Sequence, residues 1–212
     1  MISLQTGFHG IFVAGTSTGV GKSLVAALLI AATKGSYWKP VQSGCEEMTD
    51  RHWMQQATGL SEDHFLSEAY LLNTPCSPHL AAEIDGVAID LNGLTLPEKI
   101  VHRPLIVEGA GGIMVPINRE SLMLDLMCQL KYPIILVASN KLGTINHTLL
   151  SLTVLRQAGL EVLGVVLNGP FEYDNKTAIE QFGAVHVLAE LGILEDMRPE
   201  TLGSFGRQVL QW

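Results

Sequence analysis

Apolar residues along this chain fall into two patterns that alternate. Residues 10–16, GIFVAGT, form an unbroken apolar run that reads as a buried strand. The run enters a glycine-rich turn, after which KSLVAALLIAATKG reads as a helix ending at Gly35. YWKPV (37–41) is a second strand candidate. TDRHWMQQATG (49–59) has helical spacing, with Thr49 as N-cap and Gly59 as stop. The stretch 60–98 follows neither period clearly. Its prolines leave room for a short helix after Pro78, and another short helix is expected after GLTLPEKIV. Regularity returns with RPLIVEGAGG (103–112), a buried strand running into a glycine turn. A helix at about 121–130, the strand PIILVAS (133–139) and a helix at about 145–158 come next. The strand VLGVVL (162–167), a helix at about 175–182, a short strand near 184–188 and a helix at about 199–210 complete the reading.

Strands apolar on both faces and alternating with helices predict a parallel sheet covered on both sides. In such sheets, ligands bind beyond the carboxyl ends of the strands. The polar clusters of this chain lie just after predicted strands, so one sheet edge can collect them all.

Composition narrows the class. With 212 residues and no internal repeat or linker, the chain is expected to form one domain over residues 1–212. An apolar fraction of 47% and a mean hydropathy of +0.28 belong to a globular chain. The net charge of −8 argues against a general electrostatic grip on nucleic acid or anionic membrane. The apolar run 24–32 is too short to cross a bilayer, and MISLQTGFHG lacks the pattern of a secretory signal. Cys45, Cys76 and Cys128 form no Cys-x-x-Cys pair, which fits a reduced, cytoplasmic protein. The seven histidines are scattered, so no zinc site is expected.

The chemistry begins at GTSTGVGKS (15–23). Five residues, not the usual four, separate Gly15 from Gly21. A glycine turn after a strand is by itself only a tight connection. Here it follows an apolar strand, carries glycines at 15, 19 and 21, and ends in Lys22-Ser23 at the start of a long helix. Glycines let backbone N–H groups curl around phosphate oxygens, and the helix N-terminus adds its positive end. Lys22 would reach the terminal phosphates, and the Ser23 hydroxyl would bind Mg²⁺. The fold expected is therefore α/β, a phosphate-loop NTPase-like three-layer fold with a mostly parallel sheet.

Three more positions follow predicted strands. Lys39 ends YWK and is held extended by Pro40, with Ser43-Gly44 close behind. A surface lysine is the ordinary reading of such a position. Glu108 stands at the tip of a buried strand, where a carboxylate commonly holds Mg²⁺ or pairs with a lysine. Asp50 opens a helix, where the dipole alone favours an acid.

In order along the chain, GTSTGVGKS, WKPVQSG, SPH (77–79), VEGAGG (107–112) and KLGTINH (141–147) resemble the dethiobiotin synthetase family. The resemblance spans about residues 10–170, and the five-residue loop spacing is the family's own form. It implies an ATP- and Mg²⁺-dependent enzyme that carboxylates 7,8-diaminononanoate with CO2 and closes a cyclic urea. The intermediates would be a carbamate and a carbamic-phosphoric anhydride.

By the same resemblance, Lys39, Lys22 and Thr18 are catalytic, and Ser23, Asp50 and Glu108 hold Mg²⁺. Gly19, Val20, Gly21, Lys22, Ser23 and Leu24 cradle the nucleotide together with Asp50, Glu108, Gly109, Ala110 and Gly111. Asn168 and Gly169 meet the adenine, with Glu190, Leu191, Gly192 and Ile193 as the base loop. Ser43 contacts the diamine. Gly143, Thr144, Ile145 and Asn146, at a helix start contributed by the partner of a homodimer, take its distant carboxylate. An ordinary capped helix start is the plainer reading of that stretch.

The chain departs from the family pattern at three places. Ser17 replaces an aspartate, Trp38 replaces a tyrosine, and the short helix after GLTLPEKIV is expected to trim the dimer edge. Two other functions share the expected fold. One is an amide-forming ligase of the cobyrinic acid diamide synthase kind. The other is a partition-type ATPase switch, which would carry a lysine where Ser17 stands.

Overall fold

The computed structural model describes residues 9–45, 48–171, 174–194 and 196–210. The stretch MISLQTGFHG, expected to carry no secretory signal, therefore lies largely outside the described residues.

Six parallel strands form the main sheet in the order β2-β5-β1-β6-β7-β8. These are β1 (Gly10–Gly15), β2 (Ser36–Trp38), β5 (Leu105–Glu108), β6 (Ile134–Ser139), β7 (Val162–Asn168) and β8 (Val187–Leu191). Short β3 (Val41–Ser43) and β4 (Tyr70–Leu72) pair in parallel as a separate ribbon. The helices are α1 (Lys22–Thr33), α2 (Asp50–Thr58), α3 (Pro78–Asp85), α4 (Met123–Leu130), α5 (Thr144–Gln157), α6 (Asn175–Gly183) and α7 (Pro199–Val209).

The apolar runs are continuous because both faces of the sheet are covered. In β1, Phe12 and Ala14 point into one core layer and Ile11 and Val13 into the other. Strand β6 repeats this, with Ile134, Leu136 and Ala138 on the first side and Ile135 and Val137 on the second. Residues from α3, α4, α5 and α6 close the first layer, while α1 and α7 close the second. A Cβ on Gly206 would lie 1.9 Å from the Leu28 carbonyl oxygen, so α7 reaches its contact with α1 through a missing side chain.

Several expected boundaries move, each for a local reason. Helix α1 ends at Thr33 with Lys34 left-handed at φ 54°, its N–H donating to Ile30 O. Gly35 is not the stop. A Cβ there would sit 2.1 Å from Pro104 O, so its role is close approach of two segments of the backbone. The YWKPV strand divides in two: β2 stops at Trp38 and β3 begins at Val41 in the other sheet. Pro40 lacks the N–H that would extend the ladder, and the division leaves Lys39 at the sheet edge. The last strand runs over 187–191 and not 184–188, because Ala184, left-handed at φ 43°, still caps α6. The helix expected after GLTLPEKIV does not form. Irregular chain bracketed by Pro97 and Pro104 leads straight into β5.

The strand order reverses at β1, which lies between β5 and β6. That is the topological point where open α/β sheets bind ligands.

Candidate active site

The phosphate loop connects β1 to α1 at this point. Gly19 and Gly21 have φ of 71° and 100°, values that curl the loop and that side-chain-bearing residues avoid. Gly21 is fixed twice over, since a Cβ there would lie 2.1 Å from Asn168 Nδ2. Asn168 at the end of β7 donates that amide N–H to Val20 O at 3.0 Å. Lys22 opens α1, is 7% exposed, and donates from Nζ to Ser17 O at 3.0 Å. Burial pulls its pKa down to about 8; Glu108 and Asp50 oppose this, and neighbouring Lys39 adds to it.

Four sequence candidates from distant positions meet beside the loop. Ser23 Oγ lies 2.9 Å from Glu108 Oε1 and 3.2 Å from Asp50 Oδ1. Lys39 Nζ donates to Asp50 and, at 3.2 Å, to Glu108 Oε1. Lys39 and Glu108 are only 8% and 1% exposed. Burial alone would lower the lysine, but Glu108 and Asp50 outweigh it and hold Lys39 above the ordinary lysine value. Lys39 is thus a permanent cation and not a proton acceptor near neutrality.

The hydroxyl and two carboxylates converging here are hard oxygen donors of the kind Mg²⁺ prefers, with Ser23 at the mouth of the phosphate loop. The residues present fit that ion.

Tyr37 completes the network. Its hydroxyl, fully buried, donates to Glu108 Oε2 at 2.8 Å. Burial and Glu108 together push the phenol well above its usual pKa, so it stays a donor. Sequence reading missed this residue because β2 appeared only as an apolar strand. The signal available was a tyrosine two positions before Lys39, which in a strand points to the same face.

A cavity of about 450 Å³ opens from this cluster. Thr18, Lys39, Ser43, Asp50, Ala110 and Gly111 are among its walls, and the rest comes mainly from 75–78. Ser43 Oγ is buried without a hydrogen-bond partner among the described residues, a donor left for a ligand. An adjoining cavity of about 360 Å³ shares Thr18 and Val115 with the first and is lined by His147, Leu150 and Ser151 of α5.

On the other side of the loop, register places Asn168 opposite Leu191 and Leu167 opposite Glu190. Gly169 N donates to Leu191 O, so Asn168, Gly169 and residues 190–193 form one ledge. Phe171 also stands there, 70% exposed, its ring 3.3 Å from where a Cβ on Gly192 would be. The sequence reading passed over it.

Gly143, Thr144, Ile145 and Asn146 do begin a helix, α5, with Gly143 left-handed at φ 93°. They do not line the 450 Å³ cavity of their own chain. Residues 19–24, Glu108 and Gly109 likewise fall outside that lining, the first six on the loop and the start of α1, the last two at the end of β5 and directly after it.

Known proteins share this architecture and sequence. The family model described as AAA domain matches residues 9–201. The ATP-dependent dethiobiotin synthetase BioD of Rhodopseudomonas palustris TIE-1 is 49% identical over 185 residues, covering 87% of this chain and 86% of the relative. The chain belongs to the dethiobiotin synthetase family. BioD of Nitrobacter hamburgensis is 44% identical, over 91% of this chain and 90% of that one. The bifunctional biotin biosynthesis protein BioCD of Bordetella avium is 45% identical over 95% of this chain, which matches 43% of its length. Among solved structures, the septum site-determining protein MinD of Pyrococcus horikoshii, complexed with Mg-ADP, superposes with TM-score 0.55 at 17% identity, covering 94% and 93% of the two chains. A ParA family ATPase of Chlorobium tepidum gives 0.54 at 13%, covering 96% and 92%. At such identities these two show the phosphate-loop fold alone. Among the described residues, no helix is long and apolar enough to cross a membrane.

Proposed function

We propose that the protein catalyses ATP-dependent closure of 7,8-diaminononanoate and CO2 to dethiobiotin, releasing ADP and phosphate. The observation that carries this reading is Lys39 Nζ, buried between Asp50 and Glu108 at the junction of the phosphate loop and the larger cavity. The reading rests as well on membership of the family.

In the reaction proposed, one amine attacks CO2 and loses a proton to give a carbamate. A carbamate oxygen takes the γ-phosphoryl group of ATP, and ADP leaves. The second amine then attacks the carbamoyl carbon, the C–O bond to phosphate breaks, and the cyclic urea forms.

Negative charge builds on the carbamate and the transferring phosphoryl group. Lys39, kept protonated, opposes that charge from a site nearly closed to water. Lys22 and the loop N–H groups hold the phosphates, with Thr18 at the mouth of both cavities as a further donor. Ser23, Asp50 and Glu108 would hold Mg²⁺, which supplies charge neutralisation on the phosphates when bound. Ser43, with its unused hydroxyl, would orient the diamine. The ledge of Asn168, Gly169 and residues 190–193 would receive the adenine, with Phe171 as an apolar flank.

The same reading makes the enzyme a homodimer. Thr144 Oγ1 is buried without a partner among the described residues, exposed Met114 and Leu150 line the smaller cavity, and exposed Leu142 stands just before α5. A second copy of α5 entering that side would bring a helix N-terminus toward the substrate's carboxylate. Sizing at micromolar concentration is expected to give a dimer, and a fully active monomer would contradict the shared site.

The test of the reaction is phosphate release with ATP, Mg²⁺, bicarbonate and 7,8-diaminononanoate. Release must depend on the diamine. Diamine-independent hydrolysis at the same rate would refute the assignment.

A further inference from the structure

The opposite end of β2 and β5, away from the nucleotide cluster, carries a second group of polar side chains. His64 closes a 3-10 turn at 62–64 and is 7% exposed. Its Nδ1 lies 2.8 Å from the carbonyl oxygen of Gly35, just before β2. A carbonyl only accepts, so Nδ1 carries a proton in this bond and Nε2 is the ring nitrogen left for another partner. His102, just before β5, stacks on this ring at 3.7 Å between centroids with 9° between planes. Its own backbone N–H donates to Ser36 Oγ, and its Nε2 sits 2.6 Å from Asp63 Oδ2. One ligand atom from each of Asp63, His64 and His102 lies within 4.8 Å of the others.

We propose that Asp63, His64 and His102 form a binding site for a divalent transition metal ion, Zn²⁺ in the first instance, at the amino ends of β2 and β5. This reverses the expectation drawn from scattered histidines. They are distant in sequence and are brought together only because β2 and β5 are neighbours.

The donor chemistry selects the ion. Two imidazoles and one carboxylate suit zinc and its neighbours, while Mg²⁺ and Ca²⁺ favour oxygen alone. The inner ligand is already oriented, because the Nδ1–H bond to a backbone carbonyl fixes the ring in the manner typical of metal-bound histidine. The outer two can adjust, with His102 and Asp63 side chains 30% and 52% exposed. Ligand atoms on one tetrahedral ion lie about 3.3 Å apart, given bond lengths of about 2.0–2.1 Å. The stacked rings aim their lone pairs along parallel planes, so taking up an ion requires the part-exposed His102 ring to swing out of the stack while the buried His64 stays in place. The plainer alternative is an Asp63–His102 ion pair with His64 merely packed beneath it.

The two differ in a titration. Tag-free protein, held with excess Mg²⁺ and a non-hydrolysable ATP analogue, is titrated with Zn²⁺ against a chelating dye. One ion per chain with micromolar or tighter affinity is expected, together with a rise in melting temperature. His102→Ala, at a part-exposed position, and Asp63→Asn, at an exposed one, should each weaken binding at least tenfold, abolish the thermal shift and leave turnover unchanged. Co²⁺ in place of Zn²⁺ should give the stronger visible absorption of an imidazole-bound ion of low coordination number in wild type only. No Zn²⁺ binding by wild type, or equal binding by both variants, would overturn the site in favour of the ion pair.

Discussion

The carboxyl edge of the sheet holds two neighbouring regions built in opposite ways. At the proposed reaction end, Lys39, Glu108, Asp50, Ser23 and Tyr37 satisfy one another in a network closed to solvent on most sides. At the proposed base end, Phe171 and Ile193 stand 70% and 81% exposed. Buried charges must be paired before any ligand arrives, since an isolated one is too costly to keep. An uncharged ring such as the purine proposed for this ledge has no such requirement. The reaction end is thus preorganised, and changes there should act on turnover. Changes at the base end should act on affinity.

The largest effect is expected from Lys39→Ala. Loss of one fixed cation aimed at developing charge should lower kcat by about 10²–10³-fold, with ATP affinity, measured by calorimetry, staying within a few-fold. A matching collapse of ATP binding would move Lys39 into the phosphate cradle and erase the contrast between the two regions.

Tyr37→Phe removes a single oxygen yet leaves a carboxylate oxygen of Glu108 without its donor. An unsatisfied buried acceptor costs about 1–3 kcal/mol, to be seen as a lower urea midpoint. Because Glu108 is then less firmly held, the Mg²⁺ concentration needed for half-maximal rate should rise as well. A stability loss with unchanged Mg²⁺ dependence would make Tyr37 a packing residue only.

These two positions also mark what was legible in the sequence. Lys39, Ser23, Asp50 and Glu108 could be named because each follows or closes a recognisable local pattern. Their meeting depends on β1, β2 and β5 lying side by side, which alternating apolar runs already suggest. Tyr37 could not be separated from the other core residues of β2, since a buried phenol and a buried phenylalanine look alike in an apolar run. Phe171 was lost for a related reason: an aromatic in a loop has no period to betray it. The His64–His102 stack required a contact between the segment after α2 and the lead into β5, across a stretch whose short β4 and α3 give no clear period to count from.

Proton linkage at Lys22 gives an intermediate effect. Its pKa in the ligand-free protein is about 8, below the ordinary lysine value. Phosphate binding favours the charged form, so affinity for a non-hydrolysable ATP analogue should be flat below pH 8. It should then fall by up to about tenfold per pH unit above it, until the pKa of the complex is reached. For stability the sign is opposite. The free folded chain holds fewer protons at this group than the unfolded chain between about pH 8 and 10.5, so the penalty this lysine puts on folding is full below that window and fades as pH rises through it. Lys22→Arg, charged throughout, should remove the bend near pH 8. A bend that survives this change belongs to another group.

The smallest effect tests the base end. Phe171 is far from the charged cluster in chemistry if not in sequence order, and its ring lies against Gly192 on the ledge beside Asn168. If a purine stacks there, Phe171→Ala should weaken ATP by roughly 0.5–1.5 kcal/mol, or about two- to twelvefold. Tripolyphosphate, which has the charge but no base, should bind both proteins equally. Turnover at saturating ATP should not change, because no group touching the phosphoryl transfer has moved. Asn168 gives the internal contrast. Its amide supports Val20 O and crowds Gly21, so Asn168→Ala should weaken tripolyphosphate as well as ATP by loosening the phosphate loop. If Phe171→Ala weakens both ligands alike, the ring supports the loop and not the base, and the two regions are less separate than their exposure implies.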